Sequence, residues 1–295
     1  MQAQDLVPVP LHDVLAEAHR ARRAVADAWR PILPWTGDPG EQSELPPLYH
    51  VLPFLFLDAF AAAPLPAVGE FAVAVGLLAG GVLAEDALID GEPPESARAV
   101  VVLRASVQLH EAYERLYRLF PAPSPFWAEF RASLTRSVRS FRAESLHRHR
   151  WRALDEAGAL AISEGKSALA QIVPSGLAVL AGDECWLPRI AQSLADYHLA
   201  FQLVDDLVDW RRDALAGAPT FPLVRVYAAS DGPLEPDEIG RALYGAGHAR
   251  ATIERALGHL DAAADLPETL PLAGWRRLLA LRRGSYERLR DELRR

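Results

Sequence analysis

The sequence predicts an all-α protein, and three observations carry that expectation. Ala, Leu, Arg and Glu recur at helical spacing over long stretches, short Pro/Gly clusters separate the stretches, and no run of alternating β-branched residues appears. Half of the 295 residues are apolar and 24% are charged, the balance of a chain whose core stands without a metal or disulfide staple. We expect a single domain over 1–295, a bundle in which helices apolar all round are covered by amphipathic ones.

The elements follow from their breaks. A helix over about 11–30 ends at Pro31 to Pro47, and one over 48–62 closes at Pro64 to Pro66. The 67–90 helix is built on the apolar run Phe71 to Ala84 and ends at Gly91 to Pro94. Helices at 95–119 and 125–148 flank the Pro121 to Pro125 break. Further helices are expected at 154–173, 176–181 and 186–214, with breaks at Gly182 to Glu184 and Gly217 to Pro222. The Asp231 to Pro236 break precedes helices at 236–261 and 273–294, and the Arg-rich last one reads as a surface helix.

Composition narrows the function. Lys+Arg 31 against Asp+Glu 39 gives a formal charge of −8, the opposite of what a phosphate backbone needs, so nucleic acid is excluded as a partner. Cys185 is the only cysteine, which removes a disulfide framework and a thiolate zinc cluster and fits a reducing cytoplasm. Met1 to Pro10 has no basic apolar leader, so no secretory signal is expected. Phe71 to Ala84 lies between Glu70 and Glu85 and falls short of the roughly 20 residues that cross a bilayer. Ser167 to Gly182 is interrupted by Gln171, Pro174 and Ser175, so no membrane span is expected there either.

Chemistry concentrates where two apolar helices end in carboxylates. The first is Gly80-Gly81-Val82-Leu83-Ala84-Glu85-Asp86-Ala87-Leu88-Ile89-Asp90-Gly91. Asp86 and Asp90, four apart, project side by side from a helix, and two like charges there repel unless a cation joins them. The second is Phe201-Gln202-Leu203-Val204-Asp205-Asp206-Leu207-Val208-Asp209, in which Asp205 and Asp209 repeat the spacing and Gln202 lies on the same side. One such pair is as often a solvated helix end. Two pairs without an internal Arg or Lys are not, because unpaired charge on an apolar helix is costly. Oxygen-only donors suit Mg²⁺ shared with a substrate diphosphate. Lys166 is the single lysine among 31 cationic residues. It opens an apolar stretch where an ammonium suits a phosphate oxygen, the alternative being an ion pair with Glu164 or a residue distant in sequence.

These motifs resemble the class I isoprenoid synthases. Asp86 to Asp90 resembles their first aspartate-rich motif in its DxxxD form, and Phe201 to Asp209 resembles the FQxxDDxxD second motif of trans-prenyl diphosphate synthases. Lys166-Ser167 is similar to their Lys-Thr helix, and Gly217 to Leu223 to the loop after the second motif. The similarity spans roughly residues 45 to 225. It implies an isoprenoid-synthase-type bundle around a central apolar cavity, with the two acidic patches facing each other across it. It implies Asp86, Asp90, Asp205 and Asp209 as catalytic metal ligands for three Mg²⁺ ions, with Lys166 and Gln202 on the diphosphate. An isoprenyl diphosphate is the implied substrate, and a homodimer a further partner, although no self-complementary face is legible.

Departures from that pattern shape the expected reaction. Chain elongators carry a basic N-terminal motif and an arginine pair after the first Asp motif, whereas this chain has Ser43 to His50 and Gly91-Glu92-Pro93-Pro94-Glu95 at those places. A second diphosphate would meet acid there. The expectation is therefore a class I terpene synthase that ionises one allylic diphosphate and cyclises or rearranges the cation, although the NSE-type second motif of bacterial terpene cyclases is absent. Chain-elongating prenyl transfer, head-to-head condensation of the squalene or phytoene type, and a non-catalytic subunit remain as alternatives. Phe54, Phe60, His198 and Phe201 are the candidates to line the cavity, with ordinary core packing as their alternative.

Overall fold

The computed structural model describes residues 10–29, 49–230, 232 and 234–293, and no strand occurs among them. Residues 1–9, on which the expected absence of a secretory signal rests, the Pro31 to Pro47 break, the start of the 48–62 helix and Ser43 to Leu48 lie outside the described residues. The backbone gathers into two compact units, one of residues up to Ala128 with Val173–Leu187, the other of Glu129–Ile172 with Pro188–Arg295.

In the first unit, α1 (Leu11–Trp29) and α4 (Glu95–Leu119) pack against α3 (Leu65–Asp90), and a short α2 (Leu52–Leu55) with a 3-10 turn at Leu57–Phe60 precedes α3. Pro64 and Pro66 start α3, where a missing N–H costs nothing, and Gly91 at φ 73° ends it in the left-handed conformation. Every residue from Phe71 to Leu78 on α3 is buried, as an all-apolar helix requires. By length and composition this helix is long and apolar enough to cross a membrane, since it extends well beyond its uncharged run, and 67% of its apolar window is buried inside the protein. Gly81 lets α4 approach, for a Cβ there would sit 2.7 Å from the Leu109 side chain and 3.3 Å from the Ala105 carbonyl. Gly176, on α7 (Ile172–Ala181), does the same for Phe71, whose ring packs edge-on against Phe120 at 5.5 Å and Phe126 at 6.1 Å. Phe126 opens α5 (Phe126–His147).

The second unit holds the rest of α5, then α6 (Glu156–Lys166) and a 3-10 turn at Ser167–Gln171. It continues through α8 (Leu187–Val208), α9 (Trp210–Ala216), α10 (Phe221–Ala228), α11 (Pro236–Gly245), α12 (His248–Ala264) and α13 (Ala273–Glu292). Trp275 and Tyr197 are fully buried; the Trp275 indole donates to Ser193 Oγ at 2.8 Å, and Ser193 donates to the Ala263 carbonyl at 2.6 Å. The chain after α5 clamps the Gly217 loop: His149 N–H donates to the Gly217 carbonyl at 2.8 Å and the Trp151 indole to the Ala218 carbonyl at 3.1 Å.

Five expectations need correction. The 154–173 helix stops at Lys166 and gives way to the 3-10 turn and to α7, which runs through Pro174. The 48–62 segment holds only α2 and a 3-10 turn. The 186–214 helix breaks at Asp209 into α8 and α9, and the 236–261 helix breaks at Gly247, whose φ of 80° ends a helical run. Residues 221–228, left without an element, form α10, because Pro222 stands in the first turn, where it starts a helix instead of breaking one.

Candidate active site

The first acidic segment is the last turns of α3. Asp86 and Asp90 are half-buried there, and Asp86 Oδ1 is shielded from solvent. Burial pushes the neighbouring Glu85 carboxyl up, and the Tyr113 hydroxyl is pushed up by burial and then by the charge of Glu85. Negative charge is thus crowded at this helix end. The loop that follows adds acid, since Glu92 and Glu95 are both exposed.

The second segment is the end of α8 and the break into α9. Asp205 is exposed; Asp209 sits at the break, half-buried, and accepts from Arg212 Nη2 at 2.6 Å. The helical ladder still bridges the break, with Asp209 N–H on the Asp205 carbonyl at 2.9 Å and Asp213 N–H on the Asp209 carbonyl at 3.1 Å. Asp206 points the other way and is only 5% exposed. Gln202 Nε2 donates to its Oδ1 at 2.7 Å, while Oδ2 is buried with no hydrogen-bond partner among the described residues. Burial pushes the Asp206 carboxyl up to about 7; Gln202 and Lys166 pull it down, and Asp205 and Glu144 push it further up. Asp213 rises to about 8, first by burial and then through Asp206, with Arg212 opposing.

Lys166, the last residue of α6, reaches this cluster. Its Nζ lies 3.1 Å from Glu144 Oε2 on α5 and 5.3 Å from the Phe141 ring, so an ion pair with a residue distant in sequence is realised. The carboxyl groups of Glu144, Asp206, Asp209 and Asp213 gather here with the cations Lys166 and Arg212. Donors that are all oxygen fit a hard divalent cation such as Mg²⁺. No group of three His, Cys, Asp or Glu side chains is placed to hold a metal ion among the described residues.

The remaining candidates divide. His198 is buried at 4% exposure and held neutral, its pKa lowered to about 4 by burial. Phe60 is buried, Phe54 is half-buried, and Phe201 is 39% exposed. Sequence reasoning missed Glu144, Asp206 and Asp213. Phe130, Ser133, Ser137 and Glu144 form a buried stripe of α5 within the second unit, but two serines and a glutamate leave no apolar periodicity there to mark it in the sequence.

No protein-family model matches the chain, and no curated protein matches it by sequence. Solved structures do match. A polyprenyl synthase from Caulobacter crescentus CB15, complexed with calcium and isoprenyl diphosphate, aligns at TM-score 0.69 with 19% identity over 92% of this chain and 95% of that one. A geranylgeranyl pyrophosphate synthase from Lactobacillus brevis aligns at TM-score 0.72 with 17% identity over 96% of each chain. A decaprenyl diphosphate synthase from Rhodobacter capsulatus aligns at 0.67 and 17% over 97% of this chain and all of that one. The chain therefore carries the all-α isoprenoid-synthase fold, in the form found in polyprenyl and geranylgeranyl diphosphate synthases.

Proposed function

We propose that this chain is a divalent-metal-dependent enzyme of isoprenyl diphosphates, and that it extends them by prenyl transfer. The observation that carries the proposal is the Phe201 to Asp209 segment, an apolar helix ending in carboxylates whose charge field includes the single lysine, Lys166. That its fold neighbours are polyprenyl and geranylgeranyl diphosphate synthases supports transfer over the cyclisation expected from sequence.

Asp86 and Asp90 in one unit, and Asp205 and Asp209 in the other, are the carboxylates assigned to Mg²⁺. When bound, the metal supplies charge neutralisation of the leaving diphosphate, which lowers the barrier to allylic C–O ionisation. The protein's own groups prepare for that. Glu144 fixes the Lys166 ammonium on α6, near the acidic cluster, where a phosphate oxygen can share it. Gln202 is assigned to orient Asp206, because its amide already donates to that carboxyl.

A second reading, cyclisation of a single allylic diphosphate, is favoured by the acidic loop Gly91 to Glu95, which offers no base to a second diphosphate. One experiment separates the two. Purified protein with Mg²⁺ is given geranyl, farnesyl or geranylgeranyl diphosphate, with and without isopentenyl diphosphate. Longer prenyl diphosphates that form only with isopentenyl diphosphate are the expected result. Hydrocarbons or alcohols formed without it would establish cyclisation, and no diphosphate release from any substrate would defeat both.

A further inference from the structure

α9 opens at Asp209 and carries Asp213, yet none of its residues is buried. A helix of seven residues without a core-facing stripe cannot stand by itself, so its placement comes from its ends and its neighbours. Beside it, Arg211 pairs with Asp237 on α11 at 3.0 Å, but both side chains are exposed and such a pair holds weakly. The far end is fixed more firmly. Gly217, at φ 72°, closes α9 in the left-handed conformation, and the Ala218 N–H returns to the Asp213 carbonyl at 2.9 Å.

The two carbonyls that follow are each held by a strap, His149 to Trp151: Gly217 accepts from the His149 N–H at 2.8 Å and Ala218 from the Trp151 indole at 3.1 Å. The Trp151 ring lies flat on Tyr227 of α10, centroids 4.1 Å apart and planes 7° apart, so the strap grips the chain on both sides of the loop. The His149 ring covers Gly217 so closely that a Cβ there would fall 2.2 Å from Nδ1. Among the described residues, His149 is the one non-glycine with a positive φ, at 60°. Its side chain is exposed, so core packing does not account for that backbone. An L residue keeps this conformation where the contacts around it over-determine it, and such positions gather where geometry serves function.

We infer that His149, through its left-handed backbone, and Trp151, through its indole, are positioning residues for Asp209. By fixing the Gly217 loop they fix α9, and with it the Arg212 guanidinium that holds the Asp209 carboxylate at 2.6 Å. The inference rests on the isoprenyl diphosphate reading above, in which Asp209 is assigned to Mg²⁺. It adds to that reading a segment between α5 and α6 that carries no carboxylate.

Two measurements on the full chain test it, hydrogen exchange over residues 209–218 and calorimetric titration with inorganic pyrophosphate in Mg²⁺. His149→Val resists the left-handed conformation, His149→Gly accepts it, and Trp151→Phe keeps a ring on Tyr227 but loses the donor. Gly176→Ala, a packing change in the other unit, controls for lost stability alone. We expect His149→Val and Trp151→Phe to exchange faster over 209–218 and to raise the pyrophosphate Kd roughly 3- to 10-fold, with His149→Gly and Gly176→Ala within about twofold of wild type. Trp151→Phe carries the test if His149→Val does not fold. A wild-type Kd in the folded strap variants, even with faster exchange, would overturn the inference and make the strap a stability element only. An equal rise in Gly176→Ala would overturn it too, and an equal rise in His149→Gly would overturn the part given to the left-handed backbone. A wild type that binds no pyrophosphate with Mg²⁺ would overturn the diphosphate reading itself, and this inference with it.

Discussion

At the residue scale, the two carboxylates in tandem at 205 and 206 play different parts. Asp205 is exposed at the helix end, while Asp206 is turned inward onto Gln202 and into the field of Lys166. Asp205→Asn removes a charge and keeps the shape, so we expect turnover on an isoprenyl diphosphate to fall by about 10²- to 10³-fold with little change in melting temperature. Steady-state kinetics with a thermal melt check this. The Glu144–Lys166 pair is the opposite case, a buried ion pair with side chains 8% and 15% exposed. Glu144→Leu removes the carboxylate that pairs with Lys166 and leaves Asp206 and Asp213 near the ammonium, so it is expected to cost about 1–3 kcal/mol in urea unfolding, part of it recovered in Glu144→Leu with Lys166→Met. His198 gives the pH dependence. Its folded pKa of about 4 lies below the ordinary 6.5, so the unfolded chain binds the extra proton and stability is lost as pH falls from 6.5 towards 4. Between pH 7 and 5 that loss is about 2 kcal/mol, and His198→Gln should lack it. Asp206 and Asp213, whose pKa values are raised, act with the opposite sign, losing stability as pH rises from about 4 towards 7 and 8, so the contrast with the variant isolates the histidine.

At the element scale, what was legible in the chain follows what local physics determines. The 95–119 helix and the 67–90 and 125–148 helices appear within two residues of their expected ends; Pro or Gly marks each of these ends except that at His147. Pro222 misled, since the same ring that stops a helix in its interior starts one in its first turn. The Asp209 break carries no Gly or Pro and leaves no mark in the periodicity. Asp86, Asp90, Asp205, Asp209 and Lys166 were legible because charge on an apolar helix stands out; Glu144 was not, lying among the arginines of α5 with its partner 22 residues away. Gly176 tests the packing. A Cβ there falls 2.3 Å from the tip of Phe71, itself fully buried against Phe120 and Phe126, so the ring has no room to yield. Gly176→Ala should destabilise by about 1–3 kcal/mol, read by circular dichroism melting.

At the scale of the whole molecule, two compact units each carry one acidic segment grafted onto an apolar helix. The fold is that of prenyl diphosphate synthases, the sequence matches no family model, and the chemistry rests on those two segments. The most direct measurement is pyrophosphate release from farnesyl diphosphate and its shorter and longer homologues, with Mg²⁺ and with EDTA, by wild type, Asp86→Ala and Asp205→Ala. Release that requires Mg²⁺ and is lost by orders of magnitude in both variants is expected. Release that survives EDTA or either substitution, or no release from any chain length, would contradict the assignment of these carboxylates.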